Sequence, residues 1–229
     1  MPALTPQLAK DNLWRIREKI QDAARRAKRD PADITLLAVS KTFPLEDIKV
    51  FWELGQTDFG ENYLKEAEEK IGLLPQATWH FIGHLQTNKA RFVPGLFSCL
   101  HALDSLDLAQ KLHQRLQNLN QTLKVFVQVN VSGEASKSGL SPEELPSFLE
   151  GLAKFPALIP LGLMTLPPFD PNPEKSRPYF RQLFELQAKV APSLKDLSMG
   201  MSGDFEVAIE EGATVVRIGT ALFGARDYS

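Results

Sequence analysis

Hydrophobic positions near the start of the chain change their spacing once, and that change separates a helix from a strand. Thr5-Pro6 is typical of a helix start, and Leu13, Ile16 and Ile20 follow at helical spacing. We therefore expect a long amphipathic helix first. Residues 34–39 then form a short, nearly continuous apolar run, which is typical of a strand buried on both faces.

The rest of the chain repeats this alternation of helical and apolar segments. Helical patterns fall at about 45–54, 62–71, 87–91, 105–119, 142–154, 174–191 and 203–211. Apolar runs fall at about 57–59, 78–82, 97–101, 124–131, 158–163, 195–199 and 214–218, which with 34–39 makes eight expected strands.

Regular alternation of strands and helices predicts an α/β fold with a parallel sheet and right-handed crossovers. Eight strands in roughly 185 residues favour a closed TIM-like (β/α)8 barrel over an open sheet. The first helix is then an addition in front of the barrel. No linker is evident, so we expect residues 1–229 to form a single domain.

Composition narrows the function classes. Lys and Arg number 26 against 28 Asp and Glu, a net charge of −2, so no broad basic surface is expected for nucleic acid or an anionic membrane. Cys99 is the only cysteine, which excludes a disulfide within the chain and fits a reducing compartment. Residues 1–19 lack the apolar core of a signal peptide, and no apolar run approaches the ~18 residues of a membrane span. We expect a cytoplasmic protein.

Two glycine-containing turns follow the last two expected strands, where barrels often bind phosphate. Residues 198–204 lead through Ser202, the expected N-cap of the next helix, and residues 214–224 lead through Gly219 and Thr220 into a short helix. Hydroxyl and backbone N–H groups in such turns can hold an anion. The same residues would also serve as simple caps and turns, and spacing alone leaves both readings open.

Lys41 follows the first expected strand directly, so its amine would lie at the barrel mouth. A lysine among apolar walls and near another cation becomes nucleophilic, as Schiff-base chemistry with an aldehyde requires. The alternative is an ordinary surface lysine in a loop.

Other polar or sulfur-containing side chains share the strand-end position, and a structural role fits each of them equally well. They are Asn62, His80, His84 and Met164. His80 and His84 have no carboxylate or cysteine close by in the sequence to complete a metal site, so we expect no metal.

Six segments together resemble one known family over nearly the whole chain. They are residues 39–41 (VSK), 59–62 (FGEN), 79–89 (WHFIGHLQTNK), 162–165 (GLMT), 197–202 (LSMGMS) and 216–220 (VRIGT). The chain resembles the pyridoxal phosphate homeostasis proteins, which have the barrel of the alanine racemase N-terminal domain and bind pyridoxal 5′-phosphate (PLP).

The resemblance implies a role for each matching residue. Lys41 would form the internal aldimine with the cofactor's aldehyde, Ser202 and the backbone of Gly219 and Thr220 would hold its phosphate, and Arg217 would face the pyridine nitrogen. Pocket lining is implied for Asn62, His80, Met164 and Met201.

The resemblance also implies weak catalysis. An arginine does not give up its proton, so Arg217 disfavours the pyridinium form that makes PLP an electron sink. Racemases add a tyrosine base from a C-terminal β-domain, whereas this chain ends at Ser229, and their tyrosine- and glycine-rich lysine segment is replaced by residues 41–44 (KTFP). We therefore expect a monomeric, non-catalytic protein that masks and buffers PLP, with PLP-dependent apo-enzymes as expected recipients.

Three other functions stay open on the sequence. They are an amino-acid racemase with Lys41 as its sole base, a barrel enzyme acting on a sugar phosphate, and a protein-interaction module. Arg226 and Tyr228 near the C-terminus would either close over the pocket or play no part.

Overall fold

The computed structural model describes residues 4–134 and 137–225, and in these residues eight parallel strands close into a barrel. The strands are β1 (Thr35–Val39), β2 (Asp58–Glu61), β3 (Thr78–Phe81), β4 (Cys99–Leu103), β5 (Leu123–Gln128), β6 (Leu158–Met164), β7 (Asp196–Met201) and β8 (Val215–Ile218). Each strand pairs with the next, and β8 pairs with β1. The expected TIM-like barrel and its eight strands are confirmed.

Helices cover the outside of the barrel in the expected order. They are α1 (Pro6–Arg26), α2 (Leu45–Glu53), α3 (Leu64–Leu73), α4 (Leu106–Asn118), α5 (Leu145–Leu152), α6 (Arg177–Val190), α7 (Phe205–Glu210) and α8 (Thr220–Phe223). None of the helices in the described ranges is long and apolar enough to cross a membrane.

Two helical expectations differ from the structure in type. The segment expected at 87–91 is a 3₁₀ helix, Thr87–Phe92, because it is short and its backbone bonds close after three residues, as from Lys89 N–H to the carbonyl of Gln86. The segment expected to begin at 174 starts as a 3₁₀ turn, Pro173–Ser176, before α6 begins. Pro178 lies in the first turn of α6, where its missing N–H costs nothing.

The helix in front of the barrel is tied to the last element of the fold. Thr5 caps α1 by accepting the N–H of Leu8, and the apolar face that carries Leu13 is fully buried. The buried Asn12 donates from Nδ2 to the carbonyl oxygen of Leu222 in α8, at 2.8 Å. Helix α1 also packs on α7. It therefore supports the elements that follow β7 and β8.

We expect Leu13→Ala to lower the free energy of unfolding by about 2–5 kcal/mol, because it removes a fully buried side chain and leaves a cavity. Trp14→Ala is the control at the next, exposed position of α1; Trp14 is 61% exposed, and we expect a loss below about 1 kcal/mol. Urea unfolding of the two variants measures both values. Equal losses would show that α1 does not dock as described.

Candidate functional site

The carboxyl ends of the strands form one rim, and the topology brings most of the expected site residues to it. Lys41 follows β1, Asn62 follows β2, Ser202 follows β7 and Gly219 follows β8. Because β8 pairs with β1, with Arg217 opposite Leu37, the loops that carry Gly219 and Lys41 are neighbours. Lys41 and the turn after β8 therefore share one side of the rim.

The segment that carries Lys41 is held by backbone and carboxylate contacts. Lys41 itself is half-buried, and the preceding Ser40 is fully buried, with its N–H donating to the carbonyl of Gly60 at 3.0 Å. Thr42 has φ of 68°, a left-handed conformation that costs energy for a β-branched residue. Its N–H donates to Glu66 Oε1 at 2.6 Å, which holds the turn in place.

A buried ion-pair cluster lies beneath this turn. The Lys70 ammonium donates to Glu61 Oε1 at 2.8 Å, to Glu66 Oε1 at 2.6 Å and to the carbonyl of Ser40 at 2.8 Å. The side chains of Lys70 and Glu61 are 7% and 0% exposed. Burial raises the pKa of Glu61, and the Lys70 charge opposes that rise without cancelling it. The cluster joins β1, β2 and α3 at the base of the Lys41 segment.

The sequence did not reveal this cluster. Glu66 and Lys70 are four apart on a helix and resemble an ordinary surface pair. The one available signal was a charged residue, Glu61, at the end of a strand that has to be buried in the barrel, where burial demands a partner of opposite charge.

Asn62 lies at the rim with an unsatisfied acceptor. Its Oδ1 is buried and, among the described residues, has no hydrogen-bond partner. A Cβ atom at Gly83 would lie 2.6 Å from the Asn62 carbonyl oxygen, so glycine is required for this approach of the β3 and β2 loops. Asn62 also lines a cavity of about 530 Å³ beside the rim, together with Tyr63 and His84.

The hydroxyl of one serine links the turn after β7 to the turn after β8 by hydrogen bonds. Ser202 Oγ accepts the N–H groups of Gly219 and Ala221, each at 3.3 Å. We expected Ser202 to cap the helix after β7, but the N-cap of α7 is Asp204, and the Ser202 side chain turns to the start of α8 instead. At the start of α8, the N–H groups of Leu222 and Phe223 donate to the carbonyl of Gly219, and the N–H of Ala221 donates to Ser202. Hydroxyl and N–H donors thus converge on one turn.

Arg217 is buried within the barrel, at 4% exposure. Its Nη1 donates to Ser198 Oγ at 2.6 Å and its Nη2 donates to the carbonyl oxygen of Thr165 at 2.9 Å. Burial lowers the pKa of Arg217 to about 10, and the charge of Asp204 opposes that effect. The guanidinium is therefore a fixed group of donors in the barrel interior.

His80 makes its hydrogen bonds inside the barrel. Its Nδ1 lies 2.9 Å from His101 Nε2 and its Nε2 lies 3.2 Å from Asp58 Oδ1. Cys99 belongs to the same group, since its sulfur and one nitrogen of each histidine lie within 4.8 Å of one another. The sequence shows no carboxylate or cysteine near His80, but neighbouring strands supply both. His84 is exposed, with Nδ1 3.8 Å from Asp104 Oδ2.

The two methionines differ in burial. Met164, at the end of β6, is buried and pairs with Gln128 and Ser198 in the barrel wall. Met201, at the end of β7, is half-buried and pairs with Arg217. Pocket lining by Asn62, His80, Met164 and Met201 stays a prediction. Arg226 and Tyr228 lie outside the described residues.

Comparisons with known proteins point to one family. The model of the alanine racemase N-terminal domain matches residues 12–227. The pyridoxal phosphate homeostasis protein of Aquifex aeolicus is 46% identical over 224 residues, covering 95% of this chain and 98% of that protein. The protein of the same name from Pseudomonas aeruginosa is 47% identical over 223 residues, covering 95% and 96%.

A solved structure with a bound cofactor is also similar. PipY of Synechococcus elongatus PCC7942, solved with PLP bound, is 35% identical and has a TM-score of 0.77, covering 90% of this chain and 100% of that one. The similarity therefore extends from sequence to the whole described barrel.

We expect Lys70→Met to lower the free energy of unfolding by about 3–5 kcal/mol, because it leaves the buried Glu61 carboxylate without its cation. Lys65→Met, on the exposed face of the same helix, is the control and is expected to change stability by less than about 0.5 kcal/mol. Adding Glu61→Gln to Lys70→Met should restore part of the loss. Strictly additive losses in urea unfolding would contradict the pairing.

Proposed function

Because the chain belongs to the pyridoxal phosphate homeostasis protein family, whose barrel is that of the alanine racemase N-terminal domain, we propose that it binds PLP at the barrel rim. In this role it takes part in PLP homeostasis, holding the cofactor as a Schiff base on Lys41. The observation that carries the proposal is the pairing of β8 with β1. This pairing brings the turn after β8, which is hydrogen-bonded to Ser202, next to the Lys41 loop.

The residues present fit the cofactor. A phosphate needs several donors, and the hydroxyl of Ser202 and the backbone of Gly219 and Thr220 lie at one turn, where a bound phosphate would take the Gly219 N–H over from Ser202 Oγ. A pyridine ring nitrogen needs a donor, and Arg217 offers only donors. The buried Asn62 Oδ1 needs a polar partner that the described part of the chain does not provide.

PLP supplies an aldehyde, which combines with a primary amine to give a Schiff base and one water molecule. The chain supplies that amine at Lys41 and fixes its backbone through the Glu66 contact to Thr42 and the Lys70 contact to Ser40. The turn formed by Ser202, Gly219 and Thr220 would then hold the phosphate of the cofactor, and Arg217 would donate to its ring nitrogen.

We propose that this role is binding and buffering rather than catalysis. Arg217 keeps its proton and donates to Ser198 and to Thr165. It can therefore donate a hydrogen bond to the ring nitrogen but does not protonate it. Without a protonated ring nitrogen the cofactor stabilises a carbanion weakly. Masking a reactive aldehyde needs only the Lys41 amine and the turn of Ser202, Gly219 and Thr220 that would hold the phosphate.

The remaining proposals concern where the protein acts and what it meets. We propose that it works in the cytoplasm, which the free thiol of Cys99 fits, that it is a monomer, and that PLP-dependent apo-enzymes receive the cofactor from it. Neither nucleic acid nor a membrane is proposed as a partner, given a net charge of −2. Sedimentation at micromolar concentration tests the monomeric state, and PLP transfer to an apo-enzyme tests the proposed recipients.

A racemase-like enzyme is the second candidate, favoured by the family model of the alanine racemase N-terminal domain. It would use Lys41 as its only base. A sugar-phosphate enzyme with the same turns would give no chromophore with PLP, so the first experiment below separates it from both other candidates.

We expect the wild-type protein to develop visible absorption with PLP and, after borohydride, to carry a reduced adduct on Lys41 in peptide mass mapping. Lys41→Ala should abolish both signals because it removes the amine. Lys49→Ala, an exposed lysine on α2, is the control and should keep both. Absence of a chromophore in the wild type, or label spread over surface lysines, would overturn PLP binding at Lys41.

We expect the PLP-loaded protein to leave the enantiomers of alanine and serine unchanged, because Lys41 is the only base proposed and exchange at Cα needs proton delivery on two sides. Chiral chromatography after long incubation measures this. Turnover that disappears in Lys41→Ala would establish the racemase-like function instead.

A further inference from the structure

A chain of four hydrogen bonds crosses the barrel interior from Asp58 to Arg217. Asp58 Oδ1 lies 3.2 Å from His80 Nε2, and His80 Nδ1 lies 2.9 Å from His101 Nε2. His101 Nδ1 lies 2.8 Å from Ser198 Oγ, which accepts from Arg217 Nη1 at 2.6 Å. The five side chains come from β2, β3, β4, β7 and β8. Only the closed barrel brings them together.

When both imidazoles are neutral, one direction of donation satisfies all four bonds. Arg217 can only donate, so Ser198 Oγ accepts from it, and in this arrangement the Ser198 hydroxyl donates to His101 Nδ1. His101 then carries its proton on Nε2 and donates to His80 Nδ1. His80 in turn carries its proton on Nε2 and donates to the Asp58 carboxylate. All donors point from Arg217 towards Asp58.

Burial and charge support this direction. His101 is fully buried, and burial lowers its pKa well below the ordinary value, so it is neutral and has one proton to place. Burial works to raise the pKa of Asp58, but its hydrogen bonds with His80 and Thr57 outweigh that effect and lower it. The hydrogen-bonded chain therefore ends on the Arg217 cation and the Asp58 anion, with the neutral His101 between them.

The nearby Cys99 suggests a metal site as an alternative reading of the same histidines. A metal would need His80 Nδ1 and His101 Nε2 to direct lone pairs at one ion, but these atoms are 2.9 Å apart, a hydrogen-bond distance with one proton between them. Burial also raises the pKa of the Cys99 thiol, which disfavours the thiolate that a metal requires. The hydrogen-bonded chain is therefore the better account.

We propose that His101 and Ser198 are positioning residues that fix the plane of the Arg217 guanidinium at the PLP site. This rests on the proposed function, in which Arg217 faces the ring nitrogen. His101 acts at a distance: it accepts the Ser198 proton and so turns an oxygen lone pair towards Arg217. The carbonyl of Thr165 holds the other Nη group. Two fixed acceptors define the guanidinium plane.

The first test uses the protein without PLP, so it does not depend on the proposed function. Nitrogen-15 NMR of histidine-labelled protein should show both His80 and His101 as Nε2–H tautomers, assigned with His80→Asn and His101→Asn. A proton on Nδ1 of His101 would overturn the proposal. So would zinc binding that shifts both rings, since a metal would then occupy the bonded nitrogens.

The same apoprotein gives a direct readout of Arg217. We expect the hydrogen exchange of its guanidinium protons to accelerate about tenfold in Ser198→Ala and in His101→Leu, because each loses a fixed acceptor or its orientation. His101→Asn offers an acceptor oxygen near the Nδ1 position and should restore slow exchange. Cys99 lies close to both histidines but is not one of the five residues of the hydrogen-bonded chain, so Cys99→Ala should leave the exchange rate unchanged. Unaltered exchange in His101→Leu would overturn the proposal.

The second test uses the PLP-loaded protein and a double-mutant cycle. Ser198→Ala and His101→Leu should each raise the Kd for PLP about tenfold and shift the visible band, and the double variant should be no worse than Ser198→Ala, since His101 acts through Ser198. Independent, multiplying effects would overturn the proposal. If the wild-type protein takes up no PLP, the proposed function fails. The apoprotein measurements would still decide whether the series of hydrogen bonds from Asp58 holds Arg217.

Discussion

Closure of the barrel through the pairing of β8 with β1 is the constraint on which the site depends. Lys41 leaves the first strand and Gly219 leaves the last, so an open sheet would place them at opposite edges. Closure makes their loops neighbours and sets an amine beside a turn rich in donors. The same pairing brings Arg217 into register with Leu37, inside the barrel rather than on an edge.

Among the described residues, two groups of buried charges lie near the rim. Lys70 with Glu61 and Glu66 contacts the backbone on both sides of Lys41, and the Arg217 cation is linked through Ser198 and two histidines to Asp58. Burying charges is costly, and hydrogen bonds offset much of that cost in both groups, although Glu61 Oε2 has no partner among the described residues. The first group holds the backbone of the Lys41 segment, and the second holds the Arg217 guanidinium.

The fold was largely predictable from the sequence because its apolar runs and helical patterns alternate strictly. Every expected strand is present, since short apolar runs such as 34–39 recur between helical patterns, as a parallel sheet with helical crossovers requires. Strand-end position also predicted Lys41 and the two glycine turns. Three features lay beyond reach: the turn of Ser202 towards α8, the Glu61 cluster and the partners of His80. Each depends on contacts between separate elements of the folded barrel, which no local pattern records.

The bond from Asn12 in α1 to Leu222 in α8 has a consequence for biosynthesis. The two residues are 210 positions apart, and α1 also packs on α7, so most of the docking surface of α1 is absent until α7 and α8 have been synthesised. Until then the edge of β1 that pairs with β8 is also open. The turn after β8 and the packing of α1 against it therefore form late in folding. A nascent chain cannot recruit a ligand at this rim to assist its own earlier folding.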